Sequence, residues 1–239
     1  MIKLQPFFSY YGGKYRAAPH YPEPKLKTII ELFAGSAGYS VRYPHKKVIL
    51  YDKDEKICGV WDFLIKSTNK NIRNIPSVVA HVDDIKVSQE IKWLVGFWLN
   101  KGASSPCKQP SSWMKQGLKI NSFWGKAIKQ RILRQHTYIK HWKIYNKSFE
   151  NIRDRKATWF IDPPYQVAGK HYRHGSKYIN YSDLADFCKS RTGRVIVCEN
   201  EGAKWLTFKP FRDIKSSAGN KRSQISKEVI WSKYNALER

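Results

Sequence analysis

A chain of 239 residues is long enough for one large domain, or for one domain that carries a sizeable insertion. Its 44 Lys and Arg against 19 Asp and Glu give a formal net charge of +25, which favours a polyanionic partner over a small soluble substrate. The four cysteines form no CxxC pair and no His cluster accompanies them, so neither a metal site nor a disulfide framework is expected.

The first part of the chain is typical of a βαβ unit. The β-rich run KTIIELFA (Lys27–Ala34) leads into the turn GSAG (residues 35–38), and a second apolar run, KVILY (Lys47–Tyr51), ends in Asp52. Apolar residues at helical spacing then predict a helix over Glu55–Lys66. This order predicts a parallel sheet whose first strands end in a glycine-rich turn and in an acid.

The middle of the chain breaks this alternation. Between Ile91 and Phe149 there is no Asp or Glu, although twelve Lys or Arg and five of the nine Trp lie there. The stretch Ala103–Ser112 is typical of a loop by its Pro and Ser content, and the basic segment Lys126–Lys140 is predicted to be a helix. We interpret residues 91–147 as an insertion with a surface function of its own, although most of its Trp side chains are expected in the core.

The alternation returns in the last third of the chain. The runs ATWFI (Ala157–Ile161) and GRVIVCEN (Gly193–Asn200) predict two more buried strands, with a helix between them near Ser182–Ser190. A final strand is predicted over Lys227–Tyr234. Together with the first part, these elements predict an α/β domain with a mostly parallel sheet.

Two features of the first part suggest a cofactor loop. Glycines at a strand-to-helix turn let the backbone approach a ligand, but Gly35 and Gly38 alone are as typical of a simple tight turn. Asp52 strengthens the hypothesis, because a carboxylate about 20 residues downstream, at the end of the next strand, can accept both ribose hydroxyls of an adenosine cofactor. Asp54 and Glu55 compete for that role, and the start of a helix explains those two equally well.

The segment FFSYYGGKYR (Phe7–Arg16) predicts a tight turn that presents an aromatic ring and an ammonium group. It lacks the GxxxxGK[ST] spacing of a phosphate-binding P-loop. Taken alone, it indicates only a turn. Beside a cofactor loop, Tyr10 and Lys14 become candidates for cofactor contacts.

The stretch TWFIDPPYQ (Thr158–Gln166) carries the most specific functional hypothesis. A buried strand ends there in an acid, two prolines and a tyrosine, and open α/β sheets bind ligands at such strand ends. The exocyclic amine of a nucleobase is a poor nucleophile, so an enzyme that methylates it needs fixed acceptors for its hydrogens. A carboxylate and a backbone carbonyl stiffened by proline supply them, and a tyrosine ring can stack on the base. The alternative is a strand-terminating turn capped by a tyrosine.

Taken in order, these motifs resemble those of the Dam-type DNA adenine N6-methyltransferases, which use S-adenosylmethionine. The matching strings are YYGGK (Tyr10–Lys14), ELFAGSAG (Glu31–Gly38), YDKD (Tyr51–Asp54) and DPPY (Asp162–Tyr165). In addition, HWKIYNKSFENI resembles the family's strand and loop before DPPY, and SSAGNKRSQISKEVIWSKY (Ser216–Tyr234) resembles its basic loop and last strand. The resemblance covers most of the chain outside the insertion.

The resemblance implies a fold, a reaction and individual roles. The fold is a Rossmann-like methyltransferase fold of the α/β class, with a mostly parallel sheet and an antiparallel strand near the C-terminus. The reaction transfers a methyl group from S-adenosylmethionine to N6 of an adenine flipped out of double-stranded DNA, and no metal is required. The implied cofactor-binding residues are Tyr10, Lys14, Phe33, Gly35, Ser36, Gly38, Asp52 and Asp162. The implied catalytic residues are Asp162, Pro163, Pro164 and Tyr165, of which Tyr165 stacks on the base.

Residues 1–90 and 148–239 would form the catalytic domain, and residues 91–147 a basic, mainly helical target-recognition insertion. The basic stretch Gln166–Tyr178 would close over the target as a lid, although a solvated loop explains it almost as well. The predicted DNA-binding residues are Lys126, Lys129, Arg131, Arg134, Lys170, Arg173, Lys221 and Arg222. Gln116 and Asn121 are candidates for reading adenine, because an amide can pair with its N6 and N7.

Other interpretations stay open. The DPPY motif is compatible with methylation of cytosine N4, of RNA bases or of protein side-chain amides, and a nucleic-acid-binding relative without catalysis is a further alternative. We expect a cytoplasmic protein of a bacterial or phage-infected cell. The reasons are the expected reduced thiols, an N-terminus without a signal peptide, and the absence of any run of about 18 apolar residues that could span a membrane.

Overall fold

The structure is a computed structural model that describes residues 3–117, 120–215 and 225–234. Its centre is a seven-stranded sheet in the order β3-β2-β1-β4-β5-β7-β6. The strands are β1 (Thr28–Leu32), β2 (Lys47–Asp52), β3 (Lys143–Asn146), β4 (Ala157–Ile161), β5 (Gly193–Asn200), β6 (Lys209–Lys215) and β7 (Ile225–Tyr234). Strands β1 to β5 are parallel, whereas β7 is antiparallel to both β5 and β6. The predictions of a mostly parallel Rossmann-like sheet and of an antiparallel strand near the C-terminus are confirmed.

The strand order decides where a ligand can bind. Strand β1 pairs with β2 on one side and with β4 on the other, so the order of the strands reverses at β1. The carboxyl ends of these strands border the crevice where open α/β sheets bind ligands. The edge strand β6 has no counterpart among the predicted strands, and only the resemblance indicates β3. Neither strand shows the apolar run that predicts a buried strand. Strand β3 is largely exposed, and β6 contains Pro210 beside a register shift.

The helices are α1 (Glu55–Lys66), α2 (Asn69–Arg73), α3 (Gln89–Leu99), α4 (Ser112–Lys115), α5 (Lys126–Gln135) and α6 (Tyr181–Ser190). Helix α1 has the predicted bounds because Asp54 caps it, accepting a hydrogen bond from the Lys56 amide, and because its apolar face is buried. Helix α6 confirms the one predicted between β4 and β5. Helix α5 ends at Gln135, short of the predicted Lys140, and a 3-10 helix over His136–Ile139 follows it.

Each face of the sheet is covered by its own hydrophobic core. Helix α6 lies on one face, where Trp159, Leu184 and Cys188 are fully buried. The N-terminal segment, α1 and α3 lie on the other face, where the buried rings of Phe7 and Trp61 meet edge to face at 5.6 Å. The sheet is therefore a central layer between two packed layers, as in other α/β domains.

The segment of residues 91–147 shares the second of these cores. The predicted domain boundary between residues 90 and 91 falls inside α3, which packs on α1. Three of the five Trp in the segment are buried, as expected for most of them, and Trp113 is exposed. The buried ones are Trp98, Trp124 and Trp142. A role of this segment in target recognition stays a prediction.

Helix α5 packs on α2, which follows the far end of α1 in the chain. The Lys129 ammonium donates to the carbonyls of Arg73 and Ile75, which follow that end. Lys140 donates to carbonyls in the last turn of α1, and the His141 ring contacts the carbonyl that precedes β2. Because α1 begins at the carboxyl end of β2 and extends about 18 Å from it, the second half of the segment lies toward the amino ends of the strands.

Candidate active site

A cleft opens at the carboxyl ends of β1, β2 and β4. It contains about 960 Å³ of space, part of it open to solvent. The predicted cofactor-binding and catalytic residues that line it are Tyr10, Lys14, Phe33, Gly35, Ser36, Gly38, Asp52, Asp162 and Pro164, and the predicted DNA-binding residue Arg173 lines it as well. Pro163 is buried next to this wall, and the Tyr165 ring lies behind the Lys14 ammonium. The fold thus brings the four short motifs to one place.

The loop after β1 adopts backbone conformations that are rare for residues with side chains. Phe33 and Ala37 have φ angles of 52° and 50°, and Gly35 has a φ of 46°. A Cβ on Gly35 would lie 2.8 Å from the ring of Tyr10. Strain of this kind persists only where surrounding contacts hold it, and it is typical of ligand-binding loops.

Two buried residues that the sequence analysis did not single out hold this loop. The Glu31 carboxylate accepts hydrogen bonds from the amides of Tyr39 and Ser40, and burial raises the pKa of Glu31 to about 7. The indole N–H of Trp61 in α1 donates to the Gly35 carbonyl at 2.8 Å. An acid inside an apolar strand was the available signal for Glu31, because a buried carboxylate needs donors.

Asp52 ends β2 and faces the glycine loop. Its Oδ2 accepts a hydrogen bond from the Gly35 amide at 3.0 Å, and its Oδ1 accepts one from the Asp54 amide at 2.9 Å. Burial raises the pKa of Asp52 to about 6, although these hydrogen bonds oppose the shift. The carboxylate is fixed at the cleft wall and keeps lone pairs for a diol, because each oxygen accepts more than one hydrogen bond.

The two competing acids are engaged at the start of α1. Asp54 caps the helix, and Arg173 pairs with Asp54 at 3.2 Å and with Glu55 at 3.0 Å. These contacts favour Asp52 over both of them as the acid for a ribose.

The predicted lid lies along the mouth of the cleft. Tyr172 contacts the rings of Tyr10 and Tyr11, with centroid distances of 6.1 and 5.6 Å. Together with the Arg173 ion pairs, this contact joins residues 166–178 to both the YYGGK turn and α1. Opening or closing of this segment stays a prediction.

The acid of DPPY belongs to a buried charged cluster. Lys14 Nζ is 2.9 Å from Asp162 Oδ1 and 3.6 Å from Oε1 of Glu228 in β7. The ammonium is 4.9 Å from the centre of the Tyr165 ring, whose hydroxyl donates to Glu228 at 3.0 Å. Burial raises the pKa of Asp162 to about 6, against the opposing effect of Lys14. Burial also lowers the pKa of Lys14, but Asp162, Tyr165 and Glu228 together outweigh it and hold that pKa well above its ordinary value.

The DPPY loop is anchored by groups that the sequence analysis missed. Glu199, near the end of β5, accepts hydrogen bonds from the Gln166 amide at 2.7 Å and from the Trp205 indole at 3.0 Å. The Tyr181 hydroxyl, at the start of α6, donates to the Pro164 carbonyl. Glu199 lies near the end of an apolar run, as Asp52 and Asp162 do, and this was the signal that could have identified it.

The predicted DNA-binding residues lie on separate surfaces. In α5, Arg131 donates to Gln5 and to the Pro6 carbonyl and stacks on Trp98 at 4.8 Å. Both Arg131 and Lys129 are therefore engaged within the protein. The predicted contacts that are exposed to solvent are Lys126, Arg134 and Lys170, with Gln116 and Asn121 as the exposed amides. Arg173 is exposed in its ion pairs, and Lys221 and Arg222 lie outside the described residues.

Comparisons with known proteins give limited matches. No protein-family model matches the sequence, and no curated protein shows significant similarity to it. A solved structure from Haemophilus influenzae, assigned as a methylase, aligns over 92% of this chain and 85% of its own, with 11% identity and a TM-score of 0.34. A dimethyladenosine transferase from Plasmodium falciparum aligns over 94% of this chain and 62% of its own, with 9% identity and a TM-score of 0.36.

All four cysteines are free thiols. Within the described ranges, no group of three or more His, Cys, Asp or Glu side chains is placed to hold a metal ion. The helices of the same ranges include none that is long and apolar enough to cross a membrane.

Proposed function

We propose that the protein is an S-adenosylmethionine-dependent methyltransferase that modifies N6 of adenine in double-stranded DNA. The observation that carries the proposal is the position of Asp162, paired with Lys14, in the same cleft as Asp52 and the glycine loop. One carboxylate is thereby available for the ribose of the donor and a second for the amine of the target. The two acids follow β2 and β4, the strands on either side of β1, so donor and target can meet at the end of β1.

The cleft residues fit the groups of S-adenosylmethionine. Asp52 offers acceptor lone pairs to a ribose diol, and the absence of a side chain at Gly35 makes room for the Tyr10 ring at the cleft wall. The rings of Phe33 and Phe149, 6.2 Å apart, line the same cleft and provide an apolar wall suited to adenine. When bound, S-adenosylmethionine supplies an electrophilic methyl group.

The residues of DPPY would hold the amine. Ionised Asp162 accepts one of its hydrogens and favours a tetrahedral nitrogen whose lone pair can attack. Because the Pro164 carbonyl already accepts the Tyr181 hydroxyl, we assign the second hydrogen to the Pro163 carbonyl. The contribution of these groups is mainly placement, since a correctly oriented pair of reactants avoids most of the entropic cost of meeting.

Adenine N6 is out of reach inside a duplex, so the base must rotate out of the stack. The Tyr165 ring, fixed through its hydroxyl by Glu228, is the stacking surface that we assign to the rotated base. The net charge of +25 supports a polyanionic substrate, because Lys and Arg that neutralise phosphates release counterions.

The test is transfer of a labelled methyl group to duplex DNA and to RNA, followed by nucleoside analysis. We expect N6-methyladenine in DNA, and no label when Asp162 is replaced by Ala. Label in N4-methylcytosine or in RNA would assign one of the alternative substrates to the same site. A wild-type protein that binds DNA but transfers no methyl group to any nucleic acid would support the catalytically silent alternative and contradict the proposal.

A further inference from the structure

Glu228 in β7 is a buried carboxylate whose three polar partners all come from distant parts of the chain. Its Oε2 accepts the Tyr21 hydroxyl at 2.8 Å, and its Oε1 accepts the Tyr165 hydroxyl at 3.0 Å. Lys14 Nζ is 3.6 Å from Oε1, and the Glu228 side chain is 5% exposed. A buried carboxylate with this many partners is held in one place, and none of the motifs assigns it a role.

The charges of this cluster do not balance. Lys14 lies between two acids, at 2.9 Å from Asp162 and 3.6 Å from Glu228, and it is the cation that forms ion pairs with both. Among the side chains that the structure describes, no other Lys, Arg or His pairs with either acid. The further titratable groups that interact with the cluster are Tyr10, Tyr21, Glu31, Tyr165, Tyr172, Cys198 and Glu199, and none of them adds positive charge. With both acids ionised, the cluster has one excess negative charge.

We propose that Glu228 sets this charge and thereby makes the site prefer a cationic donor to its neutral product. The inference rests on the proposed function and concerns the same cleft. Transfer breaks the bond from the methyl carbon to sulfur and forms the bond from that carbon to the amine nitrogen. The sulfur passes from a cationic sulfonium to a neutral thioether, and the methylated nitrogen loses a proton to solvent. Lys14 and Asp162 alone would be a neutral pair that adds little to this preference, because a pair of opposite charges largely cancels its field.

The charge of Glu228 can be separated from its shape. In Glu228→Gln the amide oxygen still accepts the Tyr165 hydroxyl, and the NH2 group donates to the Tyr21 hydroxyl oxygen. The variant therefore keeps two hydrogen bonds and loses the negative charge. Tyr21→Phe is the matched control, because it removes one hydrogen bond from the same carboxylate and leaves the charge in place.

Calorimetry on the full chain measures the preference directly with three ligands. These are S-adenosylmethionine, an analogue with an amine in place of the sulfonium, and neutral S-adenosylhomocysteine. We expect the wild type to bind both cationic ligands more tightly than the neutral one. In Glu228→Gln the ratio of affinities should fall by about three- to tenfold, as expected for one charge removed at short range in a partly screened site. Tyr21→Phe should keep the wild-type ratio.

The wild type supplies a second measurement that needs no variant. Protonation of Asp162, whose pKa burial raises to about 6, removes the excess charge, so the preference should decline as the pH is lowered through about 6. Asp52 also titrates in this range, but it contacts a ribose shared by all three ligands and leaves their ratio unchanged.

Three results would overturn the proposal: equal affinity of the wild type for cationic and neutral ligands, an unchanged ratio in folded Glu228→Gln, or an equal loss of preference in Tyr21→Phe. A wild-type protein that binds none of the three adenosyl ligands would instead contradict the proposed function, so the two failures are distinguishable.

Discussion

The backbone of Lys14 passes directly over Gly38. A Cβ on Gly38 would lie 2.8 Å from the Lys14 nitrogen and 2.5 Å from the Tyr15 nitrogen. Real side chains do not tolerate such distances to a backbone atom, so the YYGGK turn and the glycine loop can meet only because residue 38 has no side chain. This contact places the Lys14 ammonium beside Asp162.

Gly38→Ala should destabilise the protein by at least about 2 kcal/mol, because the added methyl group has to displace backbone rather than a flexible side chain. The loss should be measured by urea denaturation. Gly125→Ala is the matched control, since its φ of 165° is extended and its nearest heavy atom would be 3.9 Å away. Equal stability of Gly38→Ala and the wild type would show that the turn can move aside freely.

Asp162→Ala should separate donor binding from catalysis. The carboxylate is assigned to the target amine, so its loss should reduce the methyl-transfer rate by about 100-fold or more. Donor affinity should stay within about tenfold of the wild type, because Asp52 and the glycine loop are unchanged. Calorimetry and the transfer assay are to be run on the same preparation. Full activity in the variant would rule out the assigned role.

Asp52→Ala should have the opposite pattern. A ribose contact serves the donor in the ground state and the transition state alike, so the main defect should be donor binding weakened by about 10- to 100-fold, largely rescued by excess donor. Asp54→Ala should instead cost about 1 kcal/mol of stability through the lost helix cap. If Asp54→Ala weakened donor binding and Asp52→Ala did not, the two roles would be exchanged.

Donor affinity should depend on pH through Asp52. Burial raises the pKa of Asp52 to about 6, and the donor binds the ionised form, so affinity should fall as the pH drops through about 6. The limiting slope is about tenfold per pH unit. The stability of the free protein should depend on pH in the opposite direction, because a raised carboxyl pKa means that folding favours the protonated carboxyl. This contribution to stability is fully present below the unfolded pKa of 3.8 and is lost as the pH rises through about 6. Calorimetry on Asp52→Asn should show a flatter pH profile, and an identical profile would assign the titration to another group.

Salt titration of duplex binding should locate the DNA surface. We expect a log–log slope of roughly −4 to −7, corresponding to about four to eight neutralised phosphates. The paired change Lys170→Gln and Lys177→Gln, on the lid beside the cleft, should make the slope of binding against salt less steep. The matched pair Lys126→Gln and Arg134→Gln should leave the slope unchanged, because α5 packs on α2, away from the cleft. The reverse result would support the sequence-based assignment of α5 to DNA.

The sequence by itself determined the central strands and the place of the site. The runs KTIIELFA, KVILY, ATWFI and GRVIVCEN are short apolar segments bounded by Gly, Asp or Pro, a local pattern that needs no knowledge of distant contacts. Parallel strands bring their carboxyl ends to one edge, so the proximity of Gly35, Asp52 and Asp162 followed from the pattern alone. The apolar pattern did not predict strands β3 and β6, because these edge strands contain polar residues and lack it.

Only the tertiary structure decided which charged groups meet. Glu228 accepts a hydrogen bond from Tyr21 across 207 positions of the chain, and nothing local in KEVIWSKY distinguishes this acid from a solvated one. The basic pattern of α5 likewise indicates an exposed face but not the side of the molecule, which is decided by the packing of α5 on α2, where Lys129 donates to the Ile75 carbonyl. The physical reason is the same in both cases: hydrophobic periodicity is a short-range property of the chain, whereas the partners of a charge are set by the packing of segments far apart in sequence.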